Sequence, residues 1–307
     1  MSVAGNLLAL LVMPIVLVGT IGRVKARWSG RRGPPILQLA FDLWKLMHKT
    51  PVYSRVTTPV FRLGPVVVLV TAVASACVVP LAGTTSLVAF PFDFVWFAYL
   101  WSFGRVALML GALDTGSSFE GMGASREATF ATLLEPVLFL VAGALCLSSG
   151  ASGARSFAAA LVPRLDAPAA VVMWVAAIAA LLIVVQVESA RLPVDDPSTH
   201  LELTMVHEVM ILDHSGPELA LLQLGAAIKL FVGVSVIAML LNPLAGERSL
   251  IATVAHLGLC LAIAVAIGMS ESLIARLKLR VVPQYIVVGL VAASIALLAI
   301  LGRGGYG

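Results

Sequence analysis

The sequence contains few charged residues for its length. Only 12% of its 307 residues are charged, whereas 60% are hydrophobic, and the mean hydropathy is +1.03. A soluble domain would carry about 25% charged residues, so the composition excludes one and predicts an all-α, polytopic membrane protein. The long apolar runs also argue against a transmembrane β-barrel, whose strands alternate polar and apolar residues.

Cysteine is also scarce. Cys77, Cys146 and Cys260 lie within apolar runs and form no CxxC pair, so the paired thiolates typical of iron–sulfur and zinc sites are missing. We expect these cysteines to pack as small apolar side chains. The sequence also lacks a nucleotide-binding glycine motif, a catalytic-triad spacing and a zinc motif. We therefore expect neither a metal site nor catalytic residues in this chain.

Eight apolar runs are each close to the ~20 residues that a helix needs to cross a bilayer. No internal repeat or soluble domain interrupts them, which predicts a single membrane domain over residues 1–307. The predicted spans are Val3–Ile21, Leu63–Ala82, Phe94–Leu113, Ala128–Ser148, Ala167–Val187, Leu219–Leu241, Leu250–Ser270 and Val281–Leu301.

The positive residues predict the orientation in the membrane. The connections over about 22–62, 114–127, 188–218 and 271–280 share one side and hold fourteen Lys or Arg residues, against four on the side of the termini. Positive residues concentrate in cytoplasmic loops, so we expect these connections in the cytoplasm and both termini outside. No Lys or Arg precedes the first apolar run, which favours a retained first span over a cleaved signal peptide.

The first cytoplasmic connection contains a segment with helical periodicity, Pro35–Lys49. Its apolar residues recur at helical spacing, and its polar residues lie on another side. This pattern predicts an amphipathic helix, either on the membrane surface or packed against a partner protein. The apolar positions are Ile36, Leu39, Leu43, Trp44, Leu46 and Met47, and the polar ones are Asp42, Lys45 and Lys49.

Arg105, Glu135 and Lys229 lie inside otherwise uncharged spans. A charge at the bilayer centre costs about 2.5–3.5 kcal/mol and usually faces a protein interior or a water-filled cavity. Pro136 opens the backbone beside Glu135, which favours a proton relay over a buried ion pair for this carboxylate. Lys229 is a second relay candidate because buried lysines shift their pKa readily, whereas Arg105 stays protonated and only tunes its neighbours.

The third cytoplasmic connection, Val187–Leu219, mixes acidic and apolar residues, with Arg191 as its only Lys or Arg. Carboxylates folded against an apolar surface acquire raised pKa values and exchange protons near neutral pH. A charged docking surface for a soluble partner is the equal alternative. The acids are Glu188, Asp195, Asp196, Glu202, Glu208, Asp213 and Glu218. His200, His207 and His214 recur too far apart for one metal, about 10 Å on a continuous helix, so we expect them to hydrogen-bond locally.

Several motifs resemble those of the complex I subunit 1 family over nearly the whole chain. They are Arg31-Arg32-Gly33-Pro34, then Glu188, Arg191, Pro193, Asp195 and Glu202-Leu203, and finally Ser215-Gly216. Other motifs resemble the hydrogenase branch, the membrane subunits of formate hydrogenlyase and energy-converting nickel–iron hydrogenases. These are Leu113–Ser117, Gly123–Ala128, Leu134-Glu135-Pro136 and Asp195–Leu203.

The resemblance implies a non-catalytic subunit that anchors a soluble redox arm and couples electron transfer to proton or sodium movement. Implied proton-relay residues are Glu135, Glu188, Asp195, Glu202, Glu208 and Lys229, with Arg105 and Arg191 tuning their charge. Implied docking residues are Arg31, Arg32, Arg126, Glu127 and Asp196. Implied partners are hydrogenase large and small subunits and iron–sulfur subunits, which would hold the nickel–iron centre and the iron–sulfur clusters, and antiporter-like membrane subunits in a bacterial or archaeal cytoplasmic membrane.

Departures from the quinone-reducing members favour a complex that passes electrons to protons. Ser198, Thr199 and His200 replace acidic residues of those members, and Val194 replaces a phenylalanine. The alternatives are the quinone-site subunit of a complex I-type NADH–quinone oxidoreductase and a purely structural membrane anchor. A standalone secondary transporter is a further alternative, although no inverted repeat supports it.

Overall fold

The computed structural model describes residues 2–82, 86–150, 168–195, 204–244 and 249–304. Within these ranges the chain forms nine α-helices and one 3-10 helix, Glu208–Ile211, and no strand. The α-helices are α1 (Ser2–Trp28), α2 (Gln38–Met47), α3 (Pro59–Val78), α4 (Asp93–Asp114), α5 (Ser118–Ser149), α6 (Pro168–Glu188), α7 (Gly216–Leu241), α8 (Leu250–Leu273) and α9 (Val282–Gly304).

All of these α-helices except α2 are long and apolar enough to cross a membrane. The eight predicted spans and the polytopic all-α class are therefore confirmed. The boundaries shift most at α5, which begins at Ser118 rather than at Ala128, so the loop predicted over 114–127 shrinks to a short turn. One of its glycines, Gly123, serves close packing instead, because a Cβ there would lie 2.4 Å from Val209 Cγ1. This contact offsets the weak helix propensity of glycine.

Helix α7 occupies the centre of the bundle. It contacts α1, α2, α3, α6 and α8, and Leu230, Phe231 and Ile237 on it are fully buried. The other large helix contacts join α3 to α4, α1 to α8, and α9 to both α5 and α6. A charged residue in the middle of α7 is therefore surrounded by protein.

The four connections predicted to be cytoplasmic meet at one end of the bundle, which confirms that they share a side. Each is hydrogen-bonded to another one. The backbone N–H of Thr58 donates to Asp114 at 2.6 Å, that of Val52 donates to Ser215 Oγ at 2.9 Å, and Arg276 donates to Asp195 at 2.9 Å.

The Ser215-Gly216 motif fixes the first connection against the start of α7. Gly216 has a φ of +56°, and a Cβ there would lie 2.9 Å from the carbonyl oxygen of Lys49. Both the left-handed backbone and the close approach require glycine. The neighbouring Ser215 hydroxyl accepts the Val52 bond, so the two residues act together.

The predicted amphipathic helix is present as α2, which packs on α1 and α7. Leu39, Leu43 and Leu46 are partly buried, whereas Trp44 and Phe41 on its outer side are exposed. The outer face is therefore apolar as well. Both predicted alternatives, contact with the membrane surface and contact with a partner protein, are compatible with this exposed apolar face.

Candidate functional site

Glu188, the last residue of α6, lies between two cations in the interior of the bundle. One of its carboxylate oxygens accepts a hydrogen bond from Arg105 of α4, and the other contacts the Lys229 ammonium of α7. The Arg105 and Glu188 side chains are only 3% and 1% exposed. A buried arginine and a partly buried lysine thus share one buried carboxylate.

Two residues of α5 complete this group. Glu127 Oε1 lies 3.6 Å from Arg105 Nε, and Glu135 Oε1 lies 3.9 Å from Arg105 Nη1. We call Arg105, Glu127, Glu135, Glu188 and Lys229 the ion cluster. It contains three carboxylates and two cations, so a single bound proton makes its formal charge zero.

Close helix packing brings the two cations to the same carboxylate. A Cβ on Gly104 would lie 2.4 Å from Thr71 Oγ1, and one on Gly225 would lie 3.2 Å from Val68 Cγ1. Helix α3 therefore lies close to both α4 and α7, at the residues adjacent to Arg105 and one turn before Lys229. Larger residues at the two glycines would push these helices apart.

A cavity of about 40 Å³ borders the ion cluster and is lined by Arg105, Glu127, Glu188, Lys229 and His207. One water needs at least about 10–15 Å³ and two or more polar partners. The cavity meets both conditions. The cavity therefore has room for a water molecule in contact with the polar groups of the ion cluster.

Glu135 differs from the other cluster carboxylates because its side chain is 43% exposed. It accepts a hydrogen bond from Ser102 Oγ at 2.7 Å and pairs with Arg105 rather than Lys229. Helix α5 continues through Pro136. Glu135 therefore makes the ion pair that was the alternative to a relay, and its exposed side chain lies between the buried cluster and the outer face of α5. The relay role stays a prediction.

Asp195, which is 1% exposed, anchors the third cytoplasmic connection, Val187–Leu219, which we call the acidic connection. Its Oδ2 accepts from the backbone N–H groups of Val206 and His207 at 3.1 and 3.0 Å, and its Oδ1 accepts from Arg276. Arg276 also donates to Thr204 Oγ1 at 3.2 Å. The predicted relay residue thus holds the loop in place, and Arg276, which was not among the predicted site residues, holds Asp195.

Arg191 lies outside the ion cluster. Its Nη1 is 3.6 Å from Glu271 Oε1, and Lys25 Nζ is 3.8 Å from Glu271 Oε2. The predicted charge-tuning residue therefore acts on a second buried carboxylate. Glu271 was missed because it follows directly on the last predicted residue of an apolar run.

Glu208 and His207 stand together at the start of the 3-10 helix and border a second cavity, of about 140 Å³. Burial raises the pKa of the Glu208 carboxyl. Burial lowers the pKa of the His207 imidazole, against the opposing effect of Glu208. Both shifts favour the neutral form, as expected where water access is limited.

The predicted docking residues divide into two groups. Arg31 and Arg32 are exposed. Arg126 instead donates to the backbone carbonyl of Met205 at 2.6 Å, and Glu127 faces Arg105. Both residues point inward because α5 begins earlier than predicted and places them against the acidic connection. Asp196 and Glu202 lie outside the described residues.

His214 makes a local contact of the kind predicted for the histidines, whereas His200 lies outside the described residues. The His214 ring stacks on Phe61 with centroids 3.9 Å apart, and its Nδ1 lies 3.3 Å from Glu218 Oε2. Burial lowers the pKa of His214, while Glu218 opposes this shift. The folded protein therefore favours the neutral ring.

We predict a pH-dependent stability from this arrangement. Because the unfolded chain binds the proton more readily, stability should fall as the pH drops below the ordinary histidine value of about 6.5. His214→Phe retains an aromatic ring and removes the titration. Melting temperatures in detergent between about pH 8 and pH 5 should decline less for His214→Phe than for the unchanged protein. Parallel declines would contradict the prediction.

Among the described ranges, no group of three or more His, Cys, Asp or Glu residues is placed to hold a metal ion. The three cysteines are free thiols in or beside the bundle core. The polar groups that line the first cavity are carboxylates, two cations and a histidine.

Comparisons with known proteins identify a matching family and two related sequences. A sequence model for the family described as NADH dehydrogenase matches residues 1–302. Hydrogenase-4 component C of Escherichia coli strain K12 is 31% identical over 241 residues, covering 78% of this chain and 75% of that protein. Formate hydrogenlyase subunit 4 of the same organism is 28% identical over 311 residues, covering 98% of this chain and 99% of that protein.

A solved structure shares the fold. A chain of the membrane-bound sulfane sulfur reductase, an archaeal respiratory membrane complex, superposes with a TM-score of 0.75. The match covers 95% of this chain and 99% of that chain. At 17% identity the likeness shows the fold alone.

Proposed function

Because this chain belongs to the NADH dehydrogenase family, that is, the complex I subunit 1 family, we propose that it is the membrane subunit of a formate hydrogenlyase-like, energy-converting nickel–iron hydrogenase. It anchors the soluble redox arm and couples electron transfer to the movement of protons or sodium ions. The complex lies in a bacterial or archaeal cytoplasmic membrane. Two relatives that carry hydrogenase and formate hydrogenlyase names support this choice of branch.

The observation that carries the coupling role is the position of Glu188 between Arg105 and Lys229 beside a polar cavity. Buried charges of this kind are expensive in a membrane and mark ion or proton pathways. With one carboxylate more than it has cations, the ion cluster takes up a proton without acquiring net positive charge. A change in charge at the redox arm would shift that proton.

The anchoring role is supported by the end of the bundle where the four positive connections meet. Hydrogen bonds between them form one surface, at which Arg31 and Arg32 are exposed. The redox arm, with the hydrogenase large and small subunits and iron–sulfur subunits, would dock there. Those partners would hold the nickel–iron centre and the iron–sulfur clusters.

The outer face of α5 supports a second, lateral contact. Glu135 is 43% exposed within a membrane span, and a charged side chain facing lipid is costly. An antiporter-like membrane subunit that covers this face would shield Glu135. The ion cluster would then continue into the partner subunit.

Purification of the tagged chain in mild detergent, with mass spectrometry of the bound subunits, tests this function. We expect nickel–iron hydrogenase subunits and no NADH-oxidising subunits. NADH-oxidising subunits would instead support the alternative, a quinone-site subunit of a complex I-type NADH–quinone oxidoreductase. Isolation of the chain without any partner would overturn both and favour a standalone transporter.

Charge reversal at the exposed arginines tests the anchoring role. The double variant Arg31→Glu/Arg32→Glu should lose the soluble subunits and retain the membrane partners. The matched control, Arg31→Lys/Arg32→Lys, preserves the charge and should keep both. Retention of the redox arm by the glutamate variant would place the docking surface elsewhere.

A further inference from the structure

Three neighbouring cavities lead from α2 towards the ion cluster. The first, of about 40 Å³, borders Glu188 and Lys229. The second, of about 140 Å³, lies between α1, α2, α7 and the acidic connection and borders Arg191 and Glu208. The third, of about 280 Å³, borders Lys25 at the end of the bundle where the positive connections meet.

Each cavity shares a wall with the next. Residues Val18, Leu39, Arg191 and Gln223 line both the second and the third cavity. Residues Ser189, His207, Leu222 and Ala226 line both the first and the second. Of the four residues shared by the first and second cavities, only His207 carries a group that titrates near neutral pH.

The fold holds His207 firmly in this wall. Its backbone N–H donates to Asp195 at 3.0 Å, and Asp195 is held by Arg276 from the next connection. Asp195 and Arg276 therefore fix the backbone at His207, which lines both cavities. Such a clamp gives a proton carrier a fixed position between its donor and its acceptor.

Charged groups face His207 from every side. Glu188 of α6 and Lys229 of α7 act on it from the ion cluster, while Asp195 and Glu208 act on it from the acidic connection. Arg191 and Glu127 border the two cavities that it separates. Acidic neighbours favour a transient positive charge on the ring, and Lys229 opposes it.

We propose that His207 is a proton-transfer site that links the second cavity to the ion cluster. One ring nitrogen binds a proton from the Glu208 side, and the other ring nitrogen releases a proton to a cluster carboxylate. The ring then returns to its neutral form, with no net change in protons or electrons. This inference rests on the proposed coupling function and adds the route by which protons reach the cluster.

The test uses the complete complex in liposomes, with redox turnover and proton movement measured together. His207→Gln keeps a polar side chain but carries no proton, and it should lower proton movement per turnover by about 100-fold, the lower range for a positioned proton-transfer group. Redox subunits should stay bound. His48→Gln is the matched control, since His48 is an exposed histidine bonded to the Trp44 carbonyl, and it should behave like the unchanged complex.

Chemical rescue separates proton transfer from a structural role. His207→Gly opens space for imidazole from solution, so added imidazole should restore proton movement in this variant. It should not restore His207→Gln, whose side chain fills the site. Lost activity in both variants without rescue would overturn the proton-transfer role.

Lys229→Met separates a failure of this inference from a failure of the proposed function. Normal proton movement in His207→Gln together with loss in Lys229→Met would reject the His207 route alone. Normal movement in both variants would reject the coupling function itself. A pH profile unchanged by His207→Gln would likewise count against the His207 route.

Discussion

Glu188→Gln is expected to lower the free energy of unfolding by about 3–5 kcal/mol, the usual cost of leaving a buried charge without its partner. Arg105 keeps two weaker contacts, to Glu127 and Glu135. Lys229 keeps the Trp101 ring, whose centre lies 5.3 Å from its Nζ, and the weaker attraction of the Glu127 charge. Thermal unfolding of the detergent-purified chain measures this loss, and the yield of assembled complex should fall with it.

Glu135→Gln is the matched control, because it removes the same charge from the same cluster. Glu135 is 43% exposed and 3.9 Å from Arg105, and exposed pairs contribute only about 0–1 kcal/mol. Its effect on stability should therefore be much smaller. Equal losses in the two variants would mean that burial of Glu188 does not determine the cost.

The double variant Glu188→Gln/Lys229→Met tests whether these two residues interact directly. Removing both charges leaves no orphaned ammonium, so most of the lost stability should return. The difference between the double variant and the sum of the single variants measures the coupling. Additive losses would contradict the contact.

The spans were predictable from the sequence because bilayer crossing depends on the length and apolarity of single segments. The charges at Arg105 and Lys229 were predictable for the same reason, since each stands alone in an apolar run. The carboxylate that both residues contact, Glu188, was not predictable in this way. Glu188 lies 83 residues from Arg105 along the chain, and no local pattern selects one of the seven acids of the acidic connection.

The roles of individual polar residues were harder to predict because they depend on helix packing. Arg126 and Glu127 were expected at a docking surface, yet α5 extends ten residues further than the apolar run (128 − 118) and turns both inward. Arg276 pairs with Asp195 across 81 residues. Only the folded chain brings the last cytoplasmic connection against the third.

Lys229→Met is expected to lower ion movement per redox turnover by at least about ten-fold, equivalent to about 1.4 kcal/mol in the barrier. Because Glu188 retains Arg105 as its partner, the complex should still assemble, so the loss would be functional. Proton movement and redox turnover in liposomes measure the two quantities separately. Full movement in this variant would exclude Lys229 from the pathway.

Lys229→Arg determines which property of the lysine matters. Arginine preserves the positive charge beside Glu188 but does not release its proton. If Lys229 only balances the carboxylate, the arginine variant should move ions normally. If the ammonium itself gives up and regains a proton, the arginine variant should assemble like the unchanged complex and yet fail to move ions. We expect the second result, because a lysine ammonium can release and regain a proton, whereas an arginine guanidinium does not.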